Sequence, residues 1–156
     1  MPDKLKKKVN KEITKTFEVE DFQLKLVIIN DSIKNKLAYK IEKNHLFKIE
    51  KESKIVGYAF VDKAPSKTDE FDYLILLDKN LIIAKAKVLI YREDYGGEIG
   101  SRRWLKQFIG KKSSDELKYE KDIIAISGAT ISANSMTVAI NHFLQNLNIL
   151  HTNNVL

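Results

Sequence analysis

The chain of 156 residues has no cysteine, two prolines, one tryptophan, three histidines and six glycines. Without thiols there is no disulfide framework, thiolate nucleophile, cysteine-ligated zinc or iron–sulfur cluster. His45, His142 and His151 stand singly with no HExxH or comparable spacing, so each reads as a surface or packing residue rather than a metal ligand. No apolar run approaches the roughly 18 residues of a bilayer-spanning helix, and the N-terminus lacks the apolar core of a signal peptide. As given, the chain reads as soluble, and Met1-Pro2-Asp3-Lys4 fits a true start as well as a trimmed leader.

What is present is ordinary in bulk: 44% of the residues are hydrophobic and 31% charged, the composition of a packed globule. The length predicts a single domain over 1–156 that buries a core unaided. The net charge of +6 comes from lysine, dense in Lys4-Leu5-Lys6-Lys7-Lys8 and otherwise spread along the chain. A basic balance is compatible with nucleic acid, a membrane surface or an anionic ligand, and composition does not choose among them.

Leu5, Val9, Ile13 and Phe17, spaced by four, predict an amphipathic helix over Asp3 to Phe17, with Asp3 near its N-cap and the helix on the domain edge. Phe22 to Leu26 alternates and continues into Val27-Ile28-Ile29. Asn30-Asp31-Ser32 then offers a turn or the cap of a short helix through Leu37. Leu46 to Ile49, a turn at Lys51-Glu52-Ser53 and Ile55 to Val61 read as a hairpin, and Pro65 to Thr68 as a loop. Phe71 to Leu77 and Leu81 to Tyr91 are further strands about a turn at Asp78-Lys79-Asn80. In the last strand Ile82, Ala84, Ala86, Val88 and Ile90 are expected on one face, with Lys85 and Lys87 on a partly solvated one. The class expected is α+β, an antiparallel meander flanked by helices.

After Tyr91 comes a polar, glycine-rich loop to Gly100, then a short helix capped by Ser101, carrying Trp104, Leu105, Phe108 and Ile109 and closed by Gly110. A polar loop, Lys111 to Lys121, leads to an expected strand at Ile123 to Ile126. Beyond it Met136, Ile140, Phe143, Leu144 and Leu147 form the stripe of a helix. The turn between them, Ser127-Gly128-Ala129-Thr130-Ile131-Ser132, has the composition of an anion site. Small residues admit backbone amides, and a helix N-terminus presents unpaired N–H groups with partial positive charge. Ser127, Thr130 and Ser132 add hydroxyls. A serine- and threonine-rich helix cap without ligand is the alternative, with Thr130 or Ser132 as the N-cap.

Ile126-Ser127-Gly128-Ala129-Thr130-Ile131-Ser132 resembles the signature of the FMN-binding domain family, which includes the C subunit of the sodium-translocating NADH:quinone oxidoreductase and the G subunit of the Rnf electron-transport complex. Glu93 to Gly100 is similar to the family's glycine-containing loop, and Trp104, Phe108, Gly110 and Lys111 are similar to its following aromatic, aromatic, Gly-Lys pattern. The resemblance covers Leu74 to Leu147, within a motif-bearing part at 71–149. It implies flavin mononucleotide (FMN) as cofactor, redox partner proteins, electron transport in a membrane-associated complex and, with a leader removed, a periplasmic or outer-face location; otherwise the cytoplasm.

In the family a flavin transferase joins FMN to the threonine corresponding to Thr130 through a phosphoester. Ile124 stands where the transferase's preferred target has aspartate, and Asp122 lies two positions too early. Non-covalent FMN is therefore favoured, with the phosphoester at Thr130 as the alternative. The amides of Gly128, Ala129 and Thr130 would hold the phosphate. Trp104 and Phe108 are candidate walls for the ring, Tyr95 a stacking or hydrogen-bonding partner, Gly96 and Gly97 points of close backbone approach, and Lys111 a cation for the reduced ring. A basic nucleic-acid-binding domain with Tyr73, Tyr91 or Tyr95 as stacking platforms is a second reading, but no RNP-like or GXXG pattern accompanies it. A flavin-fold scaffold without cofactor is a third. No acid–base or nucleophile–base pair can be picked out by spacing, so a relay is expected rather than an enzyme with its own substrate.

Overall fold

A computed structural model of the protein describes residues 1–42 and 44–156. Five strands, β1 Gln23–Leu26, β2 Leu46–Lys51, β3 Lys54–Pro65, β4 Glu70–Asp78 and β5 Ile83–Ile90, lie in one sheet in chain order, each pair antiparallel. The helices are α1 Asp3–Phe17, α2 Asp31–Lys34, α3 Arg102–Leu105 and α4 Thr130–Thr152. The class is α+β, and among the described residues no helix is long and apolar enough to cross a membrane. Glu52 and Ser53 both have positive φ, the geometry a two-residue hairpin turn between β2 and β3 requires.

The near-continuous apolar run of β4 marks a strand buried on both faces. Phe71, Tyr73, Ile75 and Leu77 join the core under α4, where Met136, Ile140, Phe143 and Leu147 pack. Phe60 and Phe143 stack across this layer with ring centroids 4.2 Å apart. Leu74 and Leu76 face the opposite way, into a second core that Leu5, Val9 and Ile13 of α1 complete. The lysine-rich helix thus covers the back of the sheet instead of lying at the domain edge. Asp3 is its first helical residue; Pro2 holds the cap position, and no side chain caps it.

Two further expectations are corrected. The buried positions of β5 recur every third residue, because its pairing with β4 slips at Asp72/Tyr73 and at Leu76/Leu77. Ile83, Ala86 and Val88 therefore meet the α4 core, while Leu89 and Ile90 meet the α1 core. Lys85 and Lys87 are partly exposed as expected, and Lys87 Nζ lies 3.5 Å from Oε1 of buried Glu12 of α1. Ile123 to Ile126 forms no strand. Ile123 makes an isolated bridge to Tyr119, and Ile124 is 74% exposed. One buried side chain docks this segment, and polar groups hold its backbone: Trp104 Nε1 donates to the Ile124 carbonyl at 2.7 Å, and Ile124 N–H donates to Gln107 Oε1 at 2.8 Å.

Candidate functional site

The end of β5, the glycine-rich loop and the start of α4 meet at Tyr91. Its hydroxyl donates to the Tyr95 carbonyl at 3.0 Å and lies 3.1 Å from Ser132 Oγ. A carbonyl only accepts, so the single phenolic hydrogen goes to Tyr95 and the Ser132 hydroxyl donates to Tyr91. The loop passes directly over this junction at Gly96, where φ is +87°, and a Cβ there would collide with the Tyr91 hydroxyl. Glycine is needed both for the left-handed backbone and for the space.

Beside the junction opens a cleft of about 600 Å³, lined by residues of three segments: 67–69, 91–96 and 128–132. On one side α4 begins. Its first ladder bond joins Ala133 N–H to the Ala129 carbonyl at 2.9 Å, which leaves the amides of Thr130, Ile131 and Ser132 outside the ladder. The cap position falls on Ala129, and no side chain satisfies these amides. Neither Thr130 nor Ser132 is the N-cap. Gly128, at φ +84°, turns the chain into the helix, and the Glu98 carboxylate lies beside its Cα.

The opposite side is a clamp between the β3–β4 loop and the chain after β5. Arg92 Nη1 lies 2.7 Å from Oδ1 of buried Asp72 and donates to the Glu70 carbonyl at 2.9 Å. The hydrogen bond to Asp72 pushes the already high pKa of Arg92 further up, so the clamp keeps its charge. Glu93 accepts from Thr68 Oγ1 at 2.6 Å and from Thr68 N–H. The neighbouring Ser66 hydroxyl and the hydrogen bonds from Thr68 hold its carboxyl below the usual range.

Of the residues singled out in the sequence, Tyr95, Gly96, Gly128, Ala129, Thr130 and Ser132 line the cleft. Ser127 is exposed just before it, and Gly97 opens a 3₁₀ turn, Gly97–Gly100, outside the lining. Trp104 and Phe108 are not walls of the cleft. Both are buried in the α4 core, edge to face with centroids 5.3 Å apart. Lys111 sits at the free edge of β5, where its carbonyl accepts from Ile83 N–H at 2.9 Å. Sequence reasoning missed Lys67, Thr68, Asp69, Arg92, Glu93, Asp94 and Ile131, and offered Tyr91 only as a stacking platform. Of the three tyrosines in that second reading, Tyr73 is buried in the core and Tyr91 is half-buried under the loop. Tyr95 alone, 90% exposed, presents a ring to solvent.

No curated protein matches the chain. The family model described as FMN-binding domain matches residues 67–145. The matched span begins at Lys67, at the mouth of the cleft, ends inside α4 and contains every residue of the lining. The chain belongs to the FMN-binding domain family, and FMN is its cofactor.

Proposed function

We propose that the cleft holds FMN with its phosphate at the N-terminus of α4, and that the domain relays electrons between partner proteins. The observation that carries the placement is the trio of unladdered amides, Thr130 to Ser132, opening into the cleft beside a glycine with left-handed backbone. A terminal phosphate suits such donors, since the helix end adds partial positive charge and no side chain caps it. The exposed Thr130 hydroxyl adds a donor, and Lys67 and Arg92 bring cations to the lining. The volume falls within the range of cofactor clefts, and Tyr91 and Tyr95 offer aromatic edges and faces to a planar ring.

FMN when bound supplies reversible one- and two-electron redox chemistry. The chain's own residues bind, orient and shield. The Tyr91–Ser132 junction fixes the loop to the helix start, and the Arg92–Asp72 and Glu93–Thr68 pairs set the far wall. These polar groups are spent on one another, which supports a relay over acid–base work on a substrate. Non-covalent binding is favoured at Thr130. Ile124 offers an apolar side chain where the transferase target has aspartate, and Asp122 is engaged, its Oδ2 accepting from Lys118 N–H at 2.9 Å.

Titration of the apoprotein with FMN and riboflavin tests the placement. FMN is expected to bind at least tenfold more tightly, about 1.4 kcal/mol or more. Equal affinity would remove the phosphate from the helix end. Denaturation is expected to release the flavin, and an FMN-sized adduct on Thr130 by mass spectrometry would establish the covalent alternative.

A further inference from the structure

We propose that the outer edge of β5 is a docking site for an acidic segment of a partner protein. A groove of about 290 Å³ lies between β5 and α3, lined by Lys85, Lys87, Arg102, Arg103 and Lys106 around apolar contacts that include Ile109, and no carboxylate lines it. What sets the groove apart is five cations around one concavity; the lysine–carboxylate pairs Lys25–Glu50, Lys40–Glu42 and Lys118–Glu116 lie elsewhere. Among the described residues Lys85, Arg102, Arg103 and Lys106 form no ion pair, and Lys87 has Glu12 alone at 3.5 Å. α1 runs beside the strand and brings one more cation to it: Lys8 Nζ donates to the Leu89 carbonyl at 2.8 Å, while Glu12 offsets Lys87.

Shape and chemistry select the occupant. The site is concave, so carboxylates on a protruding chain reach the two guanidinium forks and the half-exposed Ile109, whereas a flat bilayer meets only the rim. Trp104 and Phe108, the aromatics of this region, are buried and leave no platform on which bases would stack. Lys87 is four residues from Tyr91 along an extended strand, about 13 Å. A partner seated here therefore lies close to the cleft. The use of that closeness for electron exchange rests on the relay reading above; the charge and shape of the groove do not.

The test uses the full chain and a fluorescently labelled peptide of repeated Glu-Asp-Gly, its affinity measured by anisotropy across ionic strength. Wild-type protein is expected to bind with salt-sensitive affinity. The triple variant Lys85→Glu, Arg103→Glu, Lys106→Glu is expected to bind about tenfold or more weakly. A triple variant around α2, which lies by β1 at the sheet edge away from β5, Lys34→Glu, Lys36→Glu, Lys40→Glu, should stay near wild type. FMN titration of both variants is expected to be unchanged. Failure of FMN to bind any of the proteins would count against the cofactor placement and leave the docking result standing. Equal weakening by both triples, no peptide binding at all, or tighter groove-dependent capture of phosphatidylserine–phosphatidylcholine vesicles or duplex DNA at physiological ionic strength would each overturn the proposal.

Discussion

Gly128 holds φ at +84°, a conformation that strains a β-branched residue by about 1–3 kcal/mol. A Cβ there would also reach to 3.0 Å from Glu98 Oε1, next to the amides proposed to hold the phosphate. Glu98 is exposed and can move, so Gly128→Val is expected to stay folded by circular dichroism and to lose FMN in a titration. Retained FMN would place the phosphate elsewhere. At Tyr91 the expected effect is smaller. Tyr91→Phe keeps the ring between Phe71 and the loop but removes the bridge between the Tyr95 carbonyl and Ser132. The affinity for FMN should fall by about 0.5–1.5 kcal/mol, with a changed flavin spectrum as the loop loosens. An unaltered spectrum would mean that the junction does not shape the ring's surroundings. Neither role of Gly96 is visible from composition, since the tyrosine beneath it becomes its neighbour only when the loop folds back.

Among the elements, the two long helices were legible because each carries an apolar stripe at helical spacing, and each buries that stripe on one face of the sheet. Ile13, fully buried in the α1 core, is the sharpest test: Ile13→Ala is expected to cost about 2–5 kcal/mol in denaturant unfolding. The cleft lies across the sheet, so FMN affinity at a temperature where the variant is folded should be unchanged. A weakened flavin site would show that the back core sets the cleft geometry. Ile123 to Ile126 illustrates the limit of local pattern. Four residues with three isoleucines have strand propensity, yet no strand is placed to pair with them, and side chains of the α3 region take their backbone groups instead. β5 fails differently. Its alternation is disrupted by two slips in register that depend on β4, a partner its own residues do not specify.

At the level of the whole molecule, α4 is tied to the chain after α2 by His142, whose ring stacks on Tyr39 at 3.5 Å, and by Asn146, which exchanges two hydrogen bonds with the Tyr39 backbone. Burial holds the His142 pKa below its ordinary value of 6.5. The unfolded chain therefore takes up this proton more readily than the folded one. The contribution is fully present above about pH 6.5 and is lost as pH falls below it toward the depressed folded value. The pH dependence of unfolding, followed by denaturant titration from neutral into mildly acidic buffer, should be shallower in His142→Phe than in wild type. Identical slopes would mean that the stacked ring titrates as it does in water.

What the sequence alone determined is whatever depends on neighbours a few residues away: the helices of Leu5 to Phe17 and Met136 to Leu147, the hairpin at Glu52-Ser53, the glycine loop, and the small-residue turn at which α4 begins. Tertiary structure decided which of those parts face one another. Trp104 and Phe108 have the spacing of a cofactor wall and of a core stripe equally, and only the packing of α3 against the α4 core made them core. The cleft draws on segments at 67–69, 91–96 and 128–132, and its far wall exists because Arg92 finds Asp72 and Glu93 finds Thr68 across about twenty residues of intervening chain. Such pairings are set by strand register and burial, non-local quantities that no window of the sequence contains.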